Sequence, residues 1–177
     1  MDPTLPDRLR RAIRDVPDFP KQGILFRDIT TLLARPELVD EALGALWEPF
    51  TGGVDLVAGV ESRGFILGAT IAALHRLPFV PLRKPGKLPA AVWRESYALE
   101  YGSDALEMHQ DAIAQGQRVL VIDDLLATGG TAAAAARLVE HANGLVVGIA
   151  TLAELTFLNG RSRLGSYHVH TLVRYDD

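Results

Sequence analysis

Residues 119–137, VLVIDDLLATGGTAAAAAR, constrain this chain more than any other stretch. Val119 to Ile122 form an unbroken apolar run rich in β-branched residues, the pattern of a strand buried on both faces. Asp123 and Asp124 stand where that strand should end. Ala127-Thr128-Gly129-Gly130-Thr131 then leads into an alanine-rich helix, expected from Thr131 to about His141. A strand, a glycine turn and a helix start make an anion site. The first unbonded N–H groups of the helix converge there, and the macrodipole adds roughly half a positive charge. Gly129 and Gly130 let the main chain approach the anion, and Thr128 and Thr131 offer hydroxyl donors. Carboxylates beside a phosphate repel it unless they bind something else. An ionised carboxylate only accepts, and a sugar diol offers two donors, so acids and turn together ask for a ribose carrying a 5′-phosphate. The plainer alternative is an ordinary strand–loop–helix with acidic caps. A Walker loop is excluded because no lysine follows the glycines, and no GxGxxG occurs.

The rest of the chain repeats the strand–loop–helix theme. Val54 to Val60 reads as a buried strand, Glu61-Ser62-Arg63-Gly64 as a loop and Phe65 to Arg76 as a helix. Arg63 could pair with two phosphate oxygens or simply lie on the surface. Phe79 to Arg83 is a short strand, Lys84 to Pro89 cannot be regular, and from there to Glu95 the sequence looks like a mobile flap. Arg83, Lys84 and Lys87 would suit a polyphosphate, though basic loops are also often just solvated. Ser96 to Tyr101 and Asp104 to His109 alternate about Gly102-Ser103, a hairpin signal that leaves Glu107 on an exposed face. Leu145 to Leu155 is a long apolar strand and Tyr167 to Val173 an outer one. His168 and His170 share a face there but lack a third partner for a metal. Toward the N-terminus, Leu5, Leu9, Ile13 and Val16 recur at helical spacing, residues 18–23 are irregular, Ile24 to Ile29 is a short apolar stretch, and Leu38 to Phe50 reads as a helix.

Alternating strands and helices, joined by right-handed crossovers, predict an α/β fold: a mostly parallel sheet with helices on both faces. A ligand then belongs at the carboxyl ends of the strands, where loops 61–64, 83–89 and 123–131 would gather. The chain has 177 residues, enough for one domain spanning 1–177. A net charge of −4 argues against a nucleic-acid partner, and the absence of cysteine removes disulfides and thiolate catalysis. The longest helical apolar run, Gly64 to Leu74, is too short to span a bilayer, and residues 1–16 lack the apolar core of a signal peptide. A cytoplasmic protein with no membrane partner is the expectation.

The apolar strand, Asp-Asp and ATGGT resemble the phosphoribosyl-pyrophosphate (PRPP) signature of the type I phosphoribosyltransferases. DDLLATGGT, FPKQGILFRDIT, ESRG, RKPGKLP and SYALEYG are together similar to the adenine-specific members. The resemblance covers nearly the whole chain. It implies the type I phosphoribosyltransferase fold, with a helix and base-binding hood in residues 1–34 and a flap and hairpin in 83–109. It implies transfer of phosphoribosyl from PRPP to adenine, giving AMP and pyrophosphate in purine salvage, with Mg²⁺ as cofactor and a homodimer as the assembly. By the same resemblance Phe26, otherwise a core candidate, stacks on the base, the Leu25 main chain reads its edge, Arg27 joins the substrate-binding segment and Leu155 closes the other side. Asp123, Asp124 and residues Ala127, Thr128, Gly129, Gly130 and Thr131 take the ribose phosphate. Arg63 binds pyrophosphate in a loop that often carries a non-proline cis peptide, expected at Glu61-Ser62. Arg83, Lys84 and Lys87 lie on the flap, Tyr101 beside it, and Glu100 near the base. Glu100, Arg63 and Lys87 are the catalytic candidates. Mg²⁺ would be held mainly by PRPP and water, with Asp123 and Asp124 as its candidate protein ligands. A transferase for another purine, and a PRPP-sensing regulator, are the competing readings. The regulator would need a nucleic-acid module, and the residues before Phe19 make only one helix.

Overall fold

Thr4 and Asp7 cap the first helix reciprocally. The Asp7 N–H donates to Thr4 Oγ1 (3.4 Å) and the Thr4 N–H to Asp7 Oδ2 (3.2 Å), a capping box that starts α1 (Leu5–Ala12). The computed structural model describes residues 2–98 and 103–177, and its contacts divide the chain at Ala45 into two compact units. In the first unit α1 ends sooner than the apolar spacing suggests. Ile13 is already extended (φ −79°, ψ 130°), and Val16 lies in β1 (Arg14–Pro17) rather than in the helix. Pro17 disfavours helical geometry at Val16. The segment instead pairs antiparallel with β2 (Leu25–Asp28), placing Val16 opposite Phe26. A short α2 (Thr30–Leu33) follows, and then α3 (Pro36–Trp47), whose first residue is a proline pre-set for a helix start.

The second unit is the sheet. β3 (Leu56–Val60) feeds α4 (Arg63–Leu74) and β4 (Phe79–Leu82). A hairpin of β5 (Val92–Ala98) and β6 (Ser103–His109) comes next, then β7 (Arg118–Leu126), α5 (Gly130–His141), β8 (Leu145–Leu155) and β9 (Val169–Tyr175). The five main strands run in the order β4-β3-β7-β8-β9, and every neighbouring pair is parallel. Side-chain parity separates the faces. Leu56, Ala58, Val60, Val119 and Val121 pack with the alanines of α5 and with Leu106 and Met108 of the hairpin. The alternate residues face α4, where Gly68 lies against Gly59 and Ile122. Helices therefore cover both faces, as the crossover rule requires.

Three expectations need correction. Val92 to Glu95, assigned to the irregular flap, is strand: Val92 pairs with His109 and Glu95 with Leu106. Glu107 is buried rather than exposed. Its main chain exchanges two hydrogen bonds with Arg83 (2.9 and 2.7 Å), and its carboxylate accepts the Gly86 N–H (2.8 Å). The acids do not follow a strand end at Ile122. The eleven-residue β8 runs beside β7 past that point, so Asp123 pairs with Thr151 and the strand closes only at Leu126, opposite Glu154. Glu100 and Tyr101 lie outside the described residues.

Candidate active site

Two helix starts open at the carboxyl ends of adjacent strands. Gly129, in the left-handed region (φ 79°), precedes α5, and Ser62 precedes α4. Neither helix has a side-chain cap or an acid of its own in its first turn, so the N–H groups of both starts are left open. Leu125 to Ala132, except Gly130, enclose a cavity of about 60 Å³ at the α5 start, with Thr128 and Thr131 on its wall. Arg63 is the first residue of α4, and the peptide bond Glu61–Ser62 just before it is cis, as expected from the resemblance.

Asp123 and Asp124 join these two helix starts. They remain 8% and 5% exposed, low values for two adjacent carboxylates. The Asp124 N–H donates to Asp123 Oδ1 (2.8 Å), and Arg63 Nε lies 2.9 Å from Asp124 Oδ2. A Cβ on Gly64 would stand 2.8 Å from the Ile122 carbonyl oxygen and 3.1 Å from Asp123 Oδ1, so α4 begins directly against the acids. Burial and then the charge of Asp124 push the Asp123 carboxyl well above the ordinary range. Burial also raises Asp124, against the opposing pull of Arg63. A site that desolvates two acids in this way is poised for donors or a cation from outside.

The cations that follow β4 are organised by Glu61. Its carboxylate accepts from Arg83 Nε (3.3 Å) and Nη2 (3.2 Å) and from the Lys84 N–H (2.9 Å). Burial works to raise this carboxyl, but the bonds from Arg83 and Lys84 and the charges of Arg83 and Lys87 outweigh it and hold it low. Arg83 Nη1 also donates to the Lys87 carbonyl (3.1 Å). Lys84 Nζ donates to the Tyr97 hydroxyl (2.8 Å) and to Asp104, so its ammonium is held on the hairpin. Lys87 is exposed. Leu155 ends β8, one residue past the Leu126–Glu154 pair and so level with the start of the 127–131 loop.

In the first unit Phe26 is half-buried and meets Phe19 edge-on, ring centres 5.1 Å apart. Leu25 is 43% exposed. Arg27 is buried and donates from Nη1 to Asp15 Oδ1 (2.6 Å). The structure therefore brings together Arg63, Asp123, Asp124 and residues 127–131, and gathers Arg83 and Lys84 around Glu61. Sequence reasoning missed Glu61 as an organiser of the cations, Glu107 as an anchor of the flap base, and Gly160, whose main chain touches the 127–131 loop. Glu61 sits in ESRG, beside the arginine that drew attention. Gly160 has no local signal beyond its turn.

A parallel α/β sheet that ends in two uncapped helix starts, a buried acid pair and a cation cluster defines a phosphoribosyl-transferring protein. The chain belongs to that family: the phosphoribosyl transferase domain matches residues 28–169. Within the family it falls among the adenine phosphoribosyltransferases. The one from Gloeobacter violaceus is 61% identical over 158 residues, covering 88% of this chain and 92% of that relative. The crystal structure of the Rhodothermus marinus adenine phosphoribosyltransferase is 54% identical, with a TM-score of 0.93 over 97% of this chain and 98% of that one. The Saccharomyces cerevisiae enzyme, complexed with an imino-altritol bisphosphate and adenine, is 40% identical, with a TM-score of 0.89 over 95% and 98%. Among the described residues no helix is long and apolar enough to cross a membrane, and no cluster of three or more His, Asp or Glu could hold a metal.

Proposed function

We infer that this chain transfers the phosphoribosyl group of PRPP to adenine, forming AMP and releasing pyrophosphate. The observation that carries this reading is the buried Asp123–Asp124 pair set between two uncapped helix starts and bonded to Arg63. Asp123 and Asp124 accept the ribose hydroxyls, and residues 127–131 hold the 5′-phosphate through N–H groups and the Thr128 and Thr131 hydroxyls. Arg63 and the α4 start take pyrophosphate. Arg83, Lys84 and Lys87 offset the charge that develops on it as the bond to the anomeric carbon breaks. A purine ring nitrogen attacks that carbon, and Glu100 accepts the proton the nitrogen loses. Phe26 stacks on the base, with Leu25, Arg27 and Leu155 completing its surround and Tyr101 bordering the flap.

Mg²⁺ fits this donor set. Two carboxylates are the hard oxygen ligands it prefers, yet too few for a protein cage, so substrate oxygens and water complete its shell. When bound it supplies charge neutralisation for the departing pyrophosphate. We read residues 1–177 as one cytoplasmic transferase domain acting as a homodimer, in which residues 1–34 provide the N-terminal helix and hood and 83–109 the flap and hairpin.

A panel of bases tests the reading. With Mg²⁺ and PRPP present, adenine should be consumed, and guanine and hypoxanthine should be turned over at least 100-fold more slowly. A site built for an amino donor leaves buried groups unpaired when an acceptor takes its place. Equal turnover of guanine and adenine would overturn the adenine assignment.

A further inference from the structure

Gly160 stands in the turn after β8, far along the chain from the 127–131 loop, yet the two main chains press together. A Cβ on Gly129 would sit 2.2 Å from the Gly160 carbonyl oxygen. A Cβ on Gly160 would sit 2.2 Å from the Ala127 carbonyl oxygen and 3.0 Å from the Gly129 nitrogen. Each neighbour is backbone, so neither clash could be relieved by a side chain swinging aside. The turn reaches this position through two short 3-10 segments, Thr156–Leu158 and Gly160–Arg163, joined at Asn159 in the left-handed region (φ 50°).

A half-buried ion pair, with Glu154 its buried member, fixes the same turn. Glu154 is only 3% exposed. Arg161 donates to both of its oxygens, from Nε at 2.7 Å and from Nη2 at 2.8 Å, and its Nη1 donates to the Val169 carbonyl at 2.9 Å. Arg174 Nε lies 3.5 Å from the same carboxylate. A fork-to-fork pair sets angle as well as distance. Without Arg161 the buried Glu154 charge would keep only the longer Arg174 contact, so the pair resists rearrangement. Glu154 is also opposite Leu126 in the sheet, one residue before the loop departs at Ala127. The pair thus ties the turn to the same row of the sheet from which the phosphate loop leaves.

Resting on the assignment of residues 127–131 to the 5′-phosphate, we propose that Gly160 is the backing wall of the phosphate cradle. Glu154 and Arg161 are the brace that holds this wall in place. All three are positioning residues: they act on phosphate through the backbone of Ala127 to Gly129. Their loss should therefore weaken phosphate recognition and leave base recognition alone.

Calorimetric titration with AMP and with adenosine separates the two, because the ligands differ only in the 5′-phosphate. Wild-type protein should bind AMP far more tightly than adenosine. Gly160→Ala must displace the loop by about 1 Å, so its AMP affinity should fall roughly 100-fold while adenosine affinity holds. Glu154→Gln keeps the volume but discards a charge-assisted pair, and should lose roughly tenfold for AMP alone. In steady state KM for PRPP should rise in both variants while KM for adenine stays put. Circular dichroism establishes that each variant is folded, and Glu154→Gln carries the test if Gly160→Ala is not. A folded variant with an unchanged ratio of AMP to adenosine affinity overturns the proposal. Wild-type protein that binds both ligands equally would instead overturn the phosphate assignment of the loop itself.

Discussion

Asp123 loses its water on burial and faces the charge of Asp124, and both effects raise its carboxyl. When the folded pKa of an acid lies above its unfolded value, the folded chain binds more protons between the two. Stability therefore falls as pH rises through that interval. Asp123→Asn keeps the oxygen that accepts the Asp124 N–H but removes the charge. In ligand-free protein it should raise the melting temperature near neutral pH, and the gain should vanish below the ordinary carboxylate range. The same change should cost about 1.5–3 kcal/mol of PRPP binding, the worth of a hydrogen bond to a charged group. Calorimetric scans across pH and PRPP titration check both halves, and a variant matching the parent in stability and affinity would refute the ribose assignment. Phe26 makes the complementary case. It is half-buried, with Phe19 at its edge. Phe26→Ala should weaken adenine binding by about 1–3 kcal/mol, with PRPP binding nearly unchanged in direct titration. A loss of folding stability with adenine affinity intact would return Phe26 to the core.

At the scale of elements, β4 hands the chain to the flap at Arg83, which bridges to Glu107 on β6. Lys84 is turned toward Asp104 and Tyr97 on the hairpin, and burial opposes its charge while the Asp104 bond sustains it. Pyrophosphate offers that ammonium a stronger set of acceptors. Amide exchange across residues 84–91 should slow when PRPP is added, as the segment closes. Equal exchange with and without PRPP would contradict a closing flap. This region also marks where sequence reading ran short. RKPGKLP announced irregular chain through its proline and glycine, but Val92 to Glu95 was absorbed into the loop because its pairing partners lie beyond a turn. Glu107 looked exposed because alternation assigns faces and not what packs over them; the Gly86 N–H and the Arg83 main chain cover it. Val16 fits a helical repeat and a strand equally, and the following proline decides. In contrast β8 runs from Leu145 to Leu155 as its mostly apolar sequence suggests, since a strand buried along most of its length has little choice of residue.

For the whole molecule, a parallel sheet follows from the alternation of apolar runs with helices, and the observed strand order brings the carboxyl ends of β3 and β7 side by side. The neighbourhood of Arg63 and Asp124 was therefore implied by topology once each was placed at a strand end. The contact of Gly160 with Gly129 was not, because it joins two turns whose approach depends on the Glu154–Arg161 pair. The reaction is a single displacement at the anomeric carbon, and its balance can be read directly. Purified protein should be mixed with PRPP, adenine and Mg²⁺, and AMP and pyrophosphate quantified over time. Both should appear in equal amounts, omission of adenine should stop pyrophosphate release, and Asp123→Asn should slow both products together. Pyrophosphate release without AMP, or no product at all from folded protein, would contradict it.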